Sequence, residues 1–162
     1  MRVLPLLLLG LASAAAADGG GCPPDAERAL RLLNALRAEA HACGGRLWPA
    51  APALRRQPLL EAAALQQARV LARNDRIDHA GPPLRTRLRE AGYALRVAGE
   101  NLAGGPETVD EALSRWLASP AHCANLMAAD FEDAGLACVS GPGELQRYWV
   151  LQMGAARSSP GR

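Results

Sequence analysis

No lysine occurs anywhere in the 162 residues, so all 18 positive side chains are arginine. They nearly balance 16 acidic residues, for a formal net charge of +2, and lie scattered through helical stretches beside Glu and Asp. Aromatics are also scarce, at 4%. Nucleic-acid binding needs a concentrated basic face, with rings for base stacking, and this composition supplies neither. An Arg-, Ala- and Leu-rich chain without lysine suits a GC-rich bacterial genome.

Three patterns are missing as well. No Cys-x-x-Cys occurs, which removes thiol–disulfide exchange motifs and structural zinc knuckles. No Gly-x-Ser-x-Gly occurs, so no nucleophile signature supports covalent catalysis. No apolar run is long enough to span a bilayer. The longest, Val3 to Leu11, is interrupted by Pro5 and Gly10 and follows a short basic start at Arg2. Small residues at Ala12–Ala14 and Ala15–Ala17 then fit a cleavage site. Residues 1–17 are therefore expected to be a signal peptide, placing the product outside the cytoplasm as a secreted or periplasmic protein without a transmembrane segment after cleavage.

What is present fits export. Cys22, Cys43, Cys123 and Cys138 all follow the expected cleavage site. An even count in an oxidising compartment implies two disulfides, with three possible connectivities. The remaining chain of about 145 residues is enough for one domain with one core. It divides into a Gly/Pro-rich lead-in over 18–28, a domain over 29–154 and a polar tail over 155–162.

Periodicity sets the order of elements. Asp25 caps a first helix whose apolar stripe (Leu30, Leu33, Leu36) leads to a stop at Gly44-Gly45, with Cys43 in its last turn. His41 falls among polar neighbours, as a solvated surface residue. A Pro-rich loop over 46–58 precedes a long helix, Leu59 to Arg73, opened by Pro58. His79 lies in a rigid turn before Gly81-Pro82-Pro83. A third helix, Leu84 to Glu90, ends at Gly92, and Tyr93 to Val97 is extended. Glu100, flanked by Gly99 and Leu102, is not a solvated acid; buried, it requires partners. A fourth helix spans Glu107 to Leu117. Ser119 and Pro120 then open a short helix as N-cap and first residue, which puts His122 in the first turn, where the helix dipole disfavours imidazolium. A hairpin closes the domain, Ala134–Val139 and Gln146–Met153, with Trp149 and Leu151 facing one way and Tyr148, Val150 and Gln152 the other.

Three motifs in this order resemble the CAP superfamily of cysteine-rich secretory, antigen 5 and pathogenesis-related 1 proteins, in its bacterial secreted branch. They are Gly99-Glu100-Asn101-Leu102-Ala103, Trp116-x-x-Ser119-Pro120-x-His122-x-x-Asn125-Leu126-Met127, and Tyr148-Trp149-Val150-x-Gln152-x-Gly154. The resemblance covers Ala29 to Gly154. It implies an α+β fold, a three-layer α-β-α sandwich whose mixed, mostly antiparallel sheet is flanked by helices. It also implies a cleft lined by His79, Glu100 and His122. Eukaryotic members place a second acid where this chain has Ser119, which leaves three ligating groups in place of four. The resemblance further implies Cys43–Cys123, leaving Cys22–Cys138.

Two His and a carboxylate form the ligand set of zinc or another borderline divalent cation, and metal-bound water is a nucleophile near neutral pH. Without metal, Glu100 and His122 are the acid/base candidates. Ser119 reads as a cap in preference to a nucleophile. Equally, His79, Glu100 and His122 can form a hydrogen-bonded network that holds loops together. The expected function is binding of a divalent cation or small polar ligand in this cleft. A metal-assisted hydrolase of peptide or cell-wall material is the alternative, and a lipid- or sterol-binding module the third reading. The expected partner is an extracytoplasmic ligand or cell-envelope component.

Overall fold

The computed structural model describes residues 22–79 and 81–157; the expected signal peptide at 1–17 lies outside them. In chain order the elements are α1 (Ala26–Arg37), β1 (His41–Cys43), β2 (Arg46–Trp48), β3 (Arg55–Arg56), α2 (Pro58–Asn74), α3 (Leu84–Glu90), β4 (Leu95–Gly104), α4 (Val109–Ala118), α5 (Pro120–Met127), β5 (Asp133–Ser140) and β6 (Arg147–Ala156). Four strands form the central sheet in the order β3-β5-β6-β4. Only the β3–β5 pair is parallel. This is the mixed α-β-α sandwich.

Alternation along β6 divides the core. Trp149, Leu151 and Met153 pack with Ala29 and Leu33 of α1, Trp116 of α4 and Leu126 of α5. Tyr148 and Val150 face α2 through Ala64, Ala68 and Leu71. The two-residue period of a strand thus builds two helical layers from one sequence run. Leu60, Ala63, Leu88, Tyr93 and Leu95 extend the second layer to α3. Gly135 sets how closely α2 sits: a Cβ there would lie 2.2 Å from the Glu61 backbone nitrogen.

Several helix ends form as the sequence dictates. Asp25 accepts from the Arg28 N–H at 2.6 Å, and Thr108 accepts from Glu111 N–H at 3.2 Å. Pro58 occupies the first turn of α2, where its missing N–H costs nothing.

The region after α1 departs from expectation. The helix ends at Arg37, and Gly44-Gly45 turns a small hairpin between β1 and β2 instead of stopping a helix. Both glycines have positive φ, 60° and 86°, which a tight turn requires and side chains resist. Cys43 is consequently on a strand, not in a last helical turn. His41 is half-buried in β1, where its Nε2 lies 2.9 Å from the Leu36 carbonyl at the end of α1. The Pro-rich loop contributes β2 and β3. Tyr93–Val97 and the Gly-Glu-Asn motif, read as separate pieces, fall largely in one ten-residue strand, β4, with a register shift between Leu95 and Val97. β6 continues to Ala156, and the Arg157 N–H donates to Ala94 O at 2.7 Å, so the sheet takes in the first residues assigned to the tail.

Candidate functional site

Glu100 is the centre of the site. It lies on β4, an edge strand of the central sheet, directly opposite Gln152 of β6, and its side chain is only 2% exposed. A buried carboxylate needs donors for its lone pairs, and four are supplied. Arg87 of α3 binds both oxygens, Nη1 to Oε2 at 2.9 Å and Nη2 to Oε1 at 2.8 Å. Gln152 Nε2 donates to Oε2 at 2.9 Å. His79 Nδ1 lies 3.0 Å from Oε1. Burial alone pushes the Glu100 carboxyl upward, but the bonds from Arg87, Gln152 and His79 together with the Arg87 charge outweigh it, and the group is held below the usual carboxylate range.

The His79 bond has a consequence for its ring. An ionised carboxylate only accepts, so Nδ1 must carry the hydrogen, and the neutral ring then presents Nε2 as an acceptor. The His79 side chain is 62% exposed. An outward-facing base is thereby held in one tautomer by a buried acid.

His122 approaches from the other layer. Asn101 Nδ2 donates to the His122 carbonyl at 3.0 Å, and Asn125 Nδ2 donates to Asn101 Oδ1 at 3.0 Å. These bonds tie the first turn of α5 to β4. At Gly99 a Cβ would lie 2.7 Å from the Phe131 ring and 3.3 Å from Asn125 Oδ1, so the glycine of the motif lets α5 and the following loop close on the strand. Burial, then the nearby His79, lowers the affinity of the His122 ring for a proton. Both histidines thus reach neighbouring residues of β4, His79 through its ring to Glu100 and His122 through its carbonyl to Asn101. Neither Ser119 nor the His122 ring hydrogen-bonds to Glu100 among the described residues.

Ser119 has the extended backbone of an N-cap, φ −94° and ψ 122°, and its carbonyl accepts from Cys123 N–H at 2.8 Å. Its hydroxyl, however, makes no capping hydrogen bond, which corrects the expectation that the side chain serves as the cap. α5 is instead anchored at other points. Cys123 is bonded to Cys43, and Cys22 to Cys138. Arg37, 0% exposed, donates to the carbonyls of Leu126, Ala128 (3.2 Å) and Pro52 (3.0 and 2.8 Å). A guanidinium against the last carbonyls of α5 also meets the negative end of that helix dipole.

The donor set does not fit a divalent cation held by Glu100. Both carboxylate oxygens are occupied by nitrogen donors, and the Arg87 guanidinium supplies the positive charge a metal would bring. His79 Nε2 and His122 remain, fewer than the three protein ligands of a catalytic zinc. Among the described residues no group of three or more His, Cys, Asp or Glu is arranged to hold a metal ion. His79, Glu100 and His122 are thus gathered at one edge without forming the expected ligand triad.

Sequence reasoning missed Arg87 and, as a partner of Glu100, Gln152. A signal for Arg87 existed: it stands three residues after Leu84 and one before Leu88, on the inward side of α3, next to the fully buried Leu88.

A sheet between two helical layers, with a His/Glu/His edge closed by a disulfide-anchored helix, defines the class. The cysteine-rich secretory protein family, CAP, matches residues 30–153, and the chain belongs to it. Solved structures agree at the level of fold. An outer surface protein from Borrelia burgdorferi is 22% identical, with a TM-score of 0.63, over 85% of this chain and 99% of that one. An extracellular SCP-domain protein from Bacillus anthracis is 21% identical, with a TM-score of 0.64, over 80% of this chain and 39% of that one. NaASP2, solved with Zn2+, is 16% identical, with a TM-score of 0.54, over 88% of each chain. No curated protein matches the sequence. No helix among the described residues is long and apolar enough to cross a membrane.

Proposed function

We propose that this protein acts outside the cytoplasm and uses the cleft between His79 and His122 to bind a small polar ligand of the cell envelope. The observation that carries this reading is the His79–Glu100 pair: a buried, fully bonded acid orients an exposed imidazole at 3.0 Å. That arrangement offers a fixed acceptor at Nε2, and the half-buried His122 ring adds a second site biased to its neutral form. Gln152 Oε1, buried without a hydrogen-bond partner, is a further acceptor beside Glu100. An outer-surface and an extracellular protein among the structural relatives support the location, as do the two disulfides.

The zinc of the NaASP2 structure raises the metal question for this chain. With the oxygens of Glu100 filled, any zinc here is held by the two imidazoles alone, and Glu100 acts on it only through the orientation of His79. The test is calorimetry and histidine-resolved NMR on the mature protein, with zinc and then with soluble muropeptides. Muropeptides are expected to shift the ring signals of His79 and His122 saturably, and His79→Ala is expected to abolish the effect. A carboxylate ligand on bound zinc, seen by X-ray absorption in wild type and absent in Glu100→Gln, would overturn the filled-carboxylate account. Muropeptides that leave both rings unmoved would overturn the ligand assignment.

A hydrolytic reading draws on the same pair. Here His79, not Glu100, is the base, because Glu100 is committed to Arg87 and an imidazole oriented through Nδ1 is the form that accepts a proton at Nε2. Release of product from muropeptides that survives His79→Gln unchanged excludes this role.

A further inference from the structure

α2 presents a second feature on the side away from His122. Between α2 and α3 lies a cavity of about 410 Å³, lined in part by Gln67, Arg69, Val70, Arg73, Arg87 and Glu90, and it borders the Glu100 site through Arg87. A volume in this range holds a small organic molecule.

Gln67 is the unexpected residue. The inward positions of α2 are Leu60, Ala63, Ala64, Ala68 and Leu71, and Gln67 sits in the middle of that apolar stripe at 3% exposure. Its Nε2 has no hydrogen-bond partner. Buried donors are normally paired, so an unpaired one lining a cavity marks a place where an acceptor is wanted. The terminal torsion of glutamine is soft, and the amide turns readily toward such an acceptor.

The charges around the cavity give the acceptor a sign. Arg69 and Arg73 stand four residues apart on α2, where like charges repel, and neither makes an ion pair or hydrogen bond among the described residues. Arg87 is already neutralised by Glu100. Glu90 opposes one of the two remaining arginines, which leaves the lining net positive. Val70 supplies apolar wall.

We propose that this cavity binds a small organic acid, its oxyanion held between Arg69, Arg73 and the Gln67 amide and its apolar body against Val70. The shared chemistry is an oxyanion on a compact apolar group; carboxylate and phosphate ester are its two sources.

The test uses the mature protein at low salt, with benzoate, phenyl phosphate and inorganic phosphate as probes in separate calorimetric or NMR titrations. Saturable binding of benzoate or phenyl phosphate is expected, tighter than that of inorganic phosphate, and the better of the two identifies the headgroup. Arg69→Ala/Arg73→Ala should weaken it by about tenfold or more, because both exposed arginines can be removed without disturbing the core. Gln67→Leu should also weaken binding while leaving the fold at least as stable, since an orphan donor is lost. His122→Ala, on α5 in the other helical layer, should leave binding unchanged, which distinguishes this site from one that uses the His122 ring. Absence of saturable binding by all three probes, or an affinity that survives the double arginine variant, overturns the proposal.

Discussion

Arg87 and Glu100 form a two-point ion pair that joins α3 to β4, with both contacts below 3 Å and side chains 13% and 2% exposed. The planar fork of a guanidinium matches both oxygens of a carboxylate, which is why arginine serves here and lysine would not. Breaking a buried pair by removing one partner typically costs about 3–5 kcal/mol, because the other charge stays buried. Arg87→Met is expected to destabilise the fold by roughly that amount in urea unfolding. The double variant Arg87→Met/Glu100→Gln should recover much of the loss. Additive losses in the double variant would show that the two side chains do not depend on one another.

Acid titration follows from the same carboxyl. The Glu100 pKa is lowered in the folded protein: burial raises it, but the bonds from Arg87, Gln152 and His79 win. The unfolded chain therefore binds the proton first as pH falls. The stability contributed by Glu100 is fully present above the unfolded value near 4.5 and is lost as pH drops from there through the folded value. Glu100→Gln should flatten this part of the stability profile, measured by urea unfolding between neutral pH and acid. An unchanged slope below pH 4.5 argues against the shift.

His122 acts over a higher window. Its folded pKa lies below 6.5, through burial first and the neighbouring His79 second. As pH falls past 6.5 the unfolded chain protonates this ring before the folded protein does, so stability declines until the folded value is passed. His122→Gln should lessen the decline between pH 7 and 5, and NMR should place the ring's midpoint below that of a free imidazole. A midpoint above it reverses the sign.

One disulfide and Arg37 fix α5, the other disulfide fixes β5, and the two links predict different sensitivities. The Cys43–Cys123 bond closes 80 residues of sequence and touches α5 directly; Cys22–Cys138 closes 116 and ties the chain's start to β5. Loss of either should cost roughly 4 kcal/mol by chain entropy. Only Cys43→Ala/Cys123→Ala is expected to disturb the His122 NMR signal, because the bond sits next to that ring in sequence.

Arg37→Met should cost at least about 2 kcal/mol in urea unfolding, since it leaves the carbonyls of Pro52, Leu126 and Ala128 without their donor. An effect below half a kcal/mol would mean those carbonyls find other partners.

Much of the fold was legible because its elements carry local signals. The α2 stripe, the apolar stripe of α4, the Pro120 start of α5 and the alternation of Tyr148–Gln152 all follow from helix or strand periods and from residues with one conformational use. The stretch from Arg37 to Trp48 was not. Its apolar spacing continues past the true helix end, and the two glycines that end a helix are equally able to turn a hairpin. Only the pairing of His41–Cys43 with Arg46–Trp48 distinguishes the outcomes, and that pairing is a tertiary fact.

The opening of α5 shows the same division. The order Ser119-Pro120-x-His122-Cys123, with the Gly-Glu-Asn strand and the closing hairpin, was enough by itself to resemble the family this chain belongs to, and it pointed to His79 and Glu100, which bond at the sheet edge. Ser119, the expected cap, does not use its hydroxyl for that purpose, and the helix is held by Cys43 and Arg37 from elsewhere in the chain. Likewise the sequence pointed to Glu100 as a buried acid in need of a partner, but the identity of that partner was decided by the fold. A carboxylate can be neutralised by a metal or by an arginine, and residue types alone permit both. The packing of α3 against β4 brings Arg87 to both oxygens, and once those lone pairs are filled the site is one of oriented imidazoles.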